Sequence, residues 1–364
     1  MSEKRPLSSY VINKSALKRI AFIYIPLYAA FWMTFFIIGE ITQKHEDALV
    51  MTQDFKHQIP IAYNDRYNVE FMGLEKYHPF DSVKYRRVFN ALGLPEEKIL
   101  HAGEPDRSIL LLAQTPAYLE SLNSSWTLAR ITELGFLRFF PSNVTRNALL
   151  EPMMYQVGGS LLAASAALDR GWAINLGGGF HHASADSGNG FCTYADISLI
   201  VKYLRQQEKI KRAMIIDLDA HQGNGYQRDF LGDKDVFIVD MYNREIFPHD
   251  GKAKAAIAVK VELPAYTSDT AYLPDEQQAL KTAFEKFKPD ILIYNAGTDV
   301  LDGDPLGSLR VSEKGIIRRD EMVFQAAFDH HVPIVMLFGG GYQKSDAPVI
   351  AKSILNLKKK FSLW

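Results

Sequence analysis

Apolar residues in the second half of the chain fall in short, almost unbroken runs. These are WAINLGG (172–178), AMIIDLD (213–219), VFIVDMY (236–242), DILIYNAG (290–297) and PIVMLFGG (333–340). Runs this continuous and this rich in Val and Ile predict strands buried on both faces. Between them the pattern changes to one apolar face per helical turn, in YADISLIVKYLRQQ, DEQQALKTAFEKF and EKGIIRRDEMVFQAAF. Strands alternating with amphipathic helices predict an α/β domain, a parallel sheet with helices on both sides. Polar residues cluster at the C-terminal ends of the apolar runs, where open α/β sheets bind ligands.

One run does not fit this alternation. From Ile20 to Gly39 the chain reads IAFIYIPLYAAFWMTFFIIG without a charge. About 20 apolar residues span the hydrocarbon core of a bilayer, and the internal Pro26 is tolerated in membrane helices. A transmembrane helix is therefore expected over 20–39, after a short polar N-terminus (1–19) and before a linker (40–58). A cleavable signal peptide and a buried core helix are the alternatives. The run is longer than a signal-peptide apolar core and lacks an evident cleavage site. Lys4, Arg5, Lys14, Lys18 and Arg19 precede it, and Glu40, Lys44, Glu46, Asp47 and Asp54 follow. The positive-inside rule then places the N-terminus in the cytoplasm and the rest of a single-pass protein across the membrane.

Composition narrows the function classes. With 364 residues and 47% hydrophobic content, the chain can bury one large domain, over 59–364, or two small ones. Its 41 Lys+Arg balance 42 Asp+Glu, so it lacks the basic excess of a nucleic-acid binder and no direct nucleic-acid binding is expected. A single cysteine, Cys192, excludes an intramolecular disulfide.

The strand ends carry the chemistry. Asp217, Asp219 and His221 are spaced by two, which puts all three on one side of an extended chain. Such groups are costly to bury unpaired, and a cation is the simplest compensation. Asp299 lies just past the end of the DILIYNAG run and is the third expected ligand. Asp302 and Asp304 follow, with Asp304-Pro305 reading as a turn. An Asp2His set with an open position suits Zn²⁺, while Fe²⁺ and Co²⁺ remain open. His181 and His182 follow the three glycines that end WAINLGGG, as acid/base candidates. The tandem pair His330-His331 lies between a helix and a strand and reads as a solvated loop. Tyr342, after the glycines of the last run, either packs its ring or donates a hydrogen bond to a developing oxyanion.

At these residues the chain resembles a known family. GGGFHHASADSGNGFC, IIDLDAHQGNG, YNAGTDVLDGDPLGSL and GGGYQK are similar to motifs of the zinc-dependent histone deacetylases, in family order. The segment RYNVEFMGLEKYHPFDSVKY (66–85) resembles the class IV branch, the histone deacetylase eleven-like proteins. The resemblance runs from about residue 59 to the C-terminus. It implies a three-layer arginase/deacetylase-like fold with a central, mostly parallel sheet. It implies zinc held by Asp219, His221 and Asp299, and His182 as general base. His181 would be its electrostatic partner, oriented by Asp217, and Tyr342 would polarise the acyl carbonyl. Gly190, Phe191, Phe247 and Gly340 would line a narrow acyl-lysine tunnel, with a structural K⁺ near Asp217. Asn224 stands where other classes have an aspartate behind the second histidine, a feature shared by class IV.

The expected activity is hydrolysis of an acyl group, acetyl or long-chain fatty acyl, from a protein lysine. Deacetylation of small amines such as acetylpolyamines, or a non-catalytic membrane-anchored binding role, are the alternatives.

Overall fold

The computed structural model describes residues 48–51, 53, 55–70, 75 and 80–364, and these residues form one compact unit. The expected membrane segment, 20–39, lies outside the described residues. Among those described, no helix is long and apolar enough to cross a membrane.

Eight strands form one sheet: β1 (Ile59–Tyr63), β2 (Ile99–His101), β3 (Trp172–Asn175), β4 (Ala213–Asp217), β5 (Val236–Asn243), β6 (Val259–Leu263), β7 (Ile291–Asn295) and β8 (Ile334–Leu337). Their order is β2-β1-β3-β8-β7-β4-β5-β6, and every pairing is parallel. All five expected apolar runs are strands. Alternate side chains go to opposite faces, as the pleat requires. Met214 and Ile216 join Ile174, Tyr294 and Met336 in one core, while Ala213 and Ile215 join Ile238, Ile293 and Val335 in the other. The first core is covered by helices Asp269–Lys286, Glu313–Asp329 and Asp346–Phe361, and the second by Glu151–Arg170 and Asp196–Gln206. The result is the expected three-layer α/β architecture.

Backbone pairing continues beyond the strands' upper ends. Leu218 N donates to Asn295 O (3.1 Å), Ala296 N to Leu337 O (2.8 Å) and Thr298 N to Gly340 O (2.9 Å). Loops that would be free on another sheet are thus held rigid where the polar residues cluster.

The described part of the segment expected as a linker packs on the domain. Leu49 N donates to Glu104 O at 2.9 Å, and Leu49, Met51 and Phe55 lie against the second core. Their apolar side chains are the reason that this stretch does not run free.

Candidate active site

The four central strands β3, β8, β7 and β4 are neighbours in the sheet, and their C-terminal ends deliver the chemical residues. β3 leads to His181 and His182, β8 to Gly340 and Tyr342, β7 to Asp299, and β4 to Asp217, Asp219 and His221. Of these, His181, His182, His221 and the three aspartates are buried.

Asp219, His221 and Asp299 have donor atoms within 4.8 Å of one another. His221 Nδ1 lies 3.2 Å from Asp219 Oδ1 and 2.8 Å from Asp299 Oδ2. These spacings approach the edge of a tetrahedron around an ion bonded at about 2.0 Å, roughly 3.3 Å. The electrostatics point the same way. Burial and the neighbouring Asp219 push the Asp299 carboxyl up to about 7. Burial opposes protonation of His221, but the two carboxylates outweigh it and hold that imidazole at about 10. A positive charge between these carboxylates would relieve both shifts, and a divalent cation fits the donor set.

The remaining carboxylate atoms are fixed by backbone. Gly340 N donates to Asp219 Oδ2 and Ala220 N to Asp299 Oδ1, both at 2.8 Å. A Cβ on Gly340 would lie 2.5 Å from Asp219 Oδ2 and 2.6 Å from Asp299 Oδ2, so only glycine allows this backbone so close. Gly190 (φ +51°) meets the His182 ring in the same way.

The two tandem histidines have opposite environments. His181 Nδ1 donates to Asp217 Oδ2 at 2.9 Å. Asp217 is itself held by Tyr226 OH (3.0 Å) and Asn295 Nδ2 (2.9 Å). Burial disfavours the His181 imidazolium, yet Asp219 and Asp217 together raise it to about 9. A cation on Asp219 would cancel one part of that rise and leave the Asp217 part. His182 Nδ1 pairs with the neutral Asn224 Oδ1 at 2.8 Å. Burial, then His181 and His221, hold His182 well below the ordinary imidazole range. Two titratable neighbours pushed apart in this way take different acid/base roles.

Tyr342 stays a hydrogen-bond donor, because burial and the charges of Asp299 and Asp219 raise its phenol well above the usual range. Its ring centroid is 6.1 Å from that of His221 and 6.0 Å from that of Phe191. Phe247 stacks edge-on to His182 at 5.0 Å and is 43% exposed. Phe191 thus flanks Tyr342, and Phe247 flanks His182. His330 and His331, the other tandem pair, are exposed, as expected of a solvated loop.

Several contacts here were not expected from sequence. Asp304 is the turn residue read from Asp304-Pro305, since its Oδ1 accepts from Leu306 N and Gly307 N at 2.9 Å. Its Oδ2 also accepts from Tyr342 N (2.9 Å), tying two loops together. Lys84, wholly buried, donates to the carbonyls of Gly339 and Gly340. Arg319, also wholly buried, donates to Gly297 O (2.5 Å) and Leu218 O (3.3 Å), behind the loops that carry Asp299 and Asp219. The only sequence signal for Arg319 was an Arg-Asp pair in an otherwise amphipathic helix, which reads equally well as a solvated face.

The comparisons agree with this geometry. The model of the histone deacetylase domain matches residues 78–357. "Histone deacetylase 2" of Arabidopsis thaliana is 50% identical over 307 residues, 83% of this chain and 79% of that protein. Among solved structures, the HDA15 HD domain superposes with a TM-score of 0.67 at 20% identity, covering 84% of this chain and 89% of its own. An HDAC homolog from Aquifex aeolicus does so with 0.66 at 21% identity over 83% of each chain. At that identity these two speak for the fold, which is that of the arginase/deacetylase type. The chain belongs to the histone deacetylase domain family, whose enzymes are zinc-using hydrolases.

Proposed function

We propose that the protein is a zinc-dependent hydrolase that removes acyl groups from protein lysine side chains and belongs to the class IV branch. The observation that carries this is the oppositely tuned pair His181 and His182 beside the Asp219, His221 and Asp299 donor set. Zinc held by those three residues would polarise an amide carbonyl and acidify a water. His182, neutral and with Nδ1 committed to Asn224, takes the water proton at Nε2. Tyr342 donates its hydroxyl to the oxygen that gains negative charge. His181, held by Asp217, faces that charge and stabilises it through its ring N–H. The pair then returns a proton to the departing lysine nitrogen, and a carboxylate leaves.

What supports a longer acyl group is an apolar cavity reached past Tyr342, His181 and Gly340. Val69, Leu134, Leu137, Leu149, Met153 and Phe191 line it. It offers about 80 Å³ of room, where a single water takes about 10–15 Å³. An acetyl methyl would leave most of that apolar wall bare, so a fatty acyl chain is favoured over acetyl. The test is hydrolysis of an acyl-lysine peptide series from acetyl to myristoyl, with metal analysis of the same sample. Zinc at one per chain and a rate rising with chain length are expected. A metal-free protein that stays inactive after zinc addition would overturn the reading.

Asn224 also supports the class IV assignment and makes a prediction. The base works only when neutral, so a lower His182 pKa extends activity to lower pH. Asn224→Asp puts a charge against His182 Nδ1, raises its pKa and should move the acidic limb of the pH–rate profile to higher pH. An unmoved limb would remove Asn224 from this role.

A structural K⁺ near Asp217 belongs to the same reading. Asp240 is the register partner of Asp217, is buried, and has Oδ1 without a hydrogen-bond partner. The uncharged run at 20–39 would anchor the chain to a membrane. Release of the full chain from membranes by a carbonate wash would refute that.

A further inference from the structure

We propose that Asp250 is a positioning residue for the general base, fixing the amide of Asn224 and, through it, the tautomer of His182. This rests on the reading of His182 as the base.

The geometry is a chain of three groups. His182 Nδ1 is 2.8 Å from Asn224 Oδ1, Asn224 Nδ2 is 3.3 Å from Asp250 Oδ2, and Arg228 Nε is 2.6 Å from the same Asp250 oxygen. An amide side chain has two faces, and nothing in the amide itself decides which one meets the histidine. An ionised carboxylate, however, only accepts hydrogen bonds. Asp250 is kept ionised by Arg228, so Asn224 must turn its NH₂ toward Asp250 and its oxygen toward His182. That oxygen also only accepts, so His182 must carry its proton on Nδ1. Nε2 is then left with a free lone pair, the form in which the imidazole can take a proton. The flipped amide would point its oxygen at the carboxylate and its NH₂ at Nδ1. The proton would move to Nε2 and the base would be blocked.

The remainder of the loop shows that Asp250 is held in place. Asp250 N donates to Gln222 Oε1 and Gln222 Nε2 donates to Asp250 O, both at 3.1 Å. Asp250 Oδ1 accepts from Ala253 N at 3.2 Å. The Asp250 side chain is 8% exposed, so little water competes for the contact. Phe247, whose ring lies 5.0 Å from His182, sits on the same loop. One loop therefore contacts the base from its ring edge and, through Asn224, from its back nitrogen.

The prediction separates positioning from simple packing. Asp250→Ala should lower kcat roughly 10- to 100-fold, the usual loss when an outer hydrogen-bond partner is removed, with KM and bound zinc little changed. In the Asn224→Asp background the device is unnecessary, because a carboxylate has no wrong face. There Asp250→Ala should be neutral or raise kcat, since Asp250 would then only repel residue 224. Equal losses in the two backgrounds, or no loss in the parent protein, would overturn the proposal. A second readout is independent of the Asn224→Asp variant. The ¹⁵N shifts of the His182 ring should report Nδ1–H in the parent and a gain of Nε2–H in Asp250→Ala, and an unchanged tautomer would also overturn it. The rate of His182→Ala tests the base assignment separately, so the two failures are distinguishable.

Discussion

His182→Ala is expected to lower kcat by roughly 10²–10⁴-fold, the range for loss of a positioned general base, with zinc content and fold unchanged. The size follows from burial. His182 is 3% exposed, and its one committed partner is Asn224. Solvent therefore has little access to substitute for it. None of the metal donors is touched, so affinity for zinc measured by chelator competition should stay the same. His181→Ala should lower kcat too, but with a different signature. It removes one of the partners of Asp217 and takes away a positive charge near Asp219 Oδ1, 3.6 Å from His181 Nε2. Zinc affinity should then rise, because the histidine cation no longer competes for the carboxylate. If His182→Ala keeps its rate within tenfold of the parent, the base lies elsewhere and the proposed mechanism fails.

The second large effect is on stability. Arg319 lies at the centre of a fully buried polar cluster. Its Nε donates to Asp320 Oδ1 at 2.9 Å, and Asp320 also receives hydrogen bonds from Tyr294 OH and Ser353 Oγ, both 2.5 Å. Glu276 is buried nearby with neither carboxyl oxygen hydrogen-bonded. Burial keeps it protonated far above the usual range, against the pull of Arg319. Arg319 is thus the counter-charge of Asp320 and the donor to the carbonyls of Gly297 and Leu218. Arg319→Met leaves one buried carboxylate uncompensated and the Gly297 carbonyl unpaired, while Leu218 O keeps only the Tyr272 hydroxyl at 3.4 Å. Breaking a buried pair from one side costs about 3–5 kcal/mol, and chemical denaturation should show a loss of that order. Asp320→Asn in the same chain should restore part of it, since the orphaned charge is then gone. A loss below about 1 kcal/mol would mean that water or rearrangement satisfies the site.

How much of this was readable without coordinates differs between elements for physical reasons. β3, β4, β5, β7 and β8 lie inside the sheet, apolar on both faces, and their runs stand out. β2 and β6 are the edges, and β1 is next to β2. β2 has three residues, and β6 alternates half-exposed positions in VKVEL, so neither shows a continuous run. Helix Glu151–Arg170 failed the opposite way. From Pro152 to Ala167 nearly every side chain is buried, so it lacks the one-sided pattern by which a helix is recognised.

The residue types of the site were legible because each lies within a few positions of a buried strand's end. That spacing alone placed Asp217, Asp219, His221, Asp299, His181, His182 and Tyr342 on one edge of the sheet. Which of them meet was decided by strand order. β3, β8, β7 and β4 are adjacent although β8 is the last strand of the chain, and no local pattern encodes that adjacency. The same holds for Asp250, Asp304, Lys84, Arg319 and Asp240. Each comes from a loop, helix or strand with an unremarkable local pattern, and each acquires a role only through a partner far along the chain. Local sequence determined which groups carry charge and where backbone must pass close. The tertiary packing decided their neighbours, and so the opposite electrostatic environments of His181 and His182.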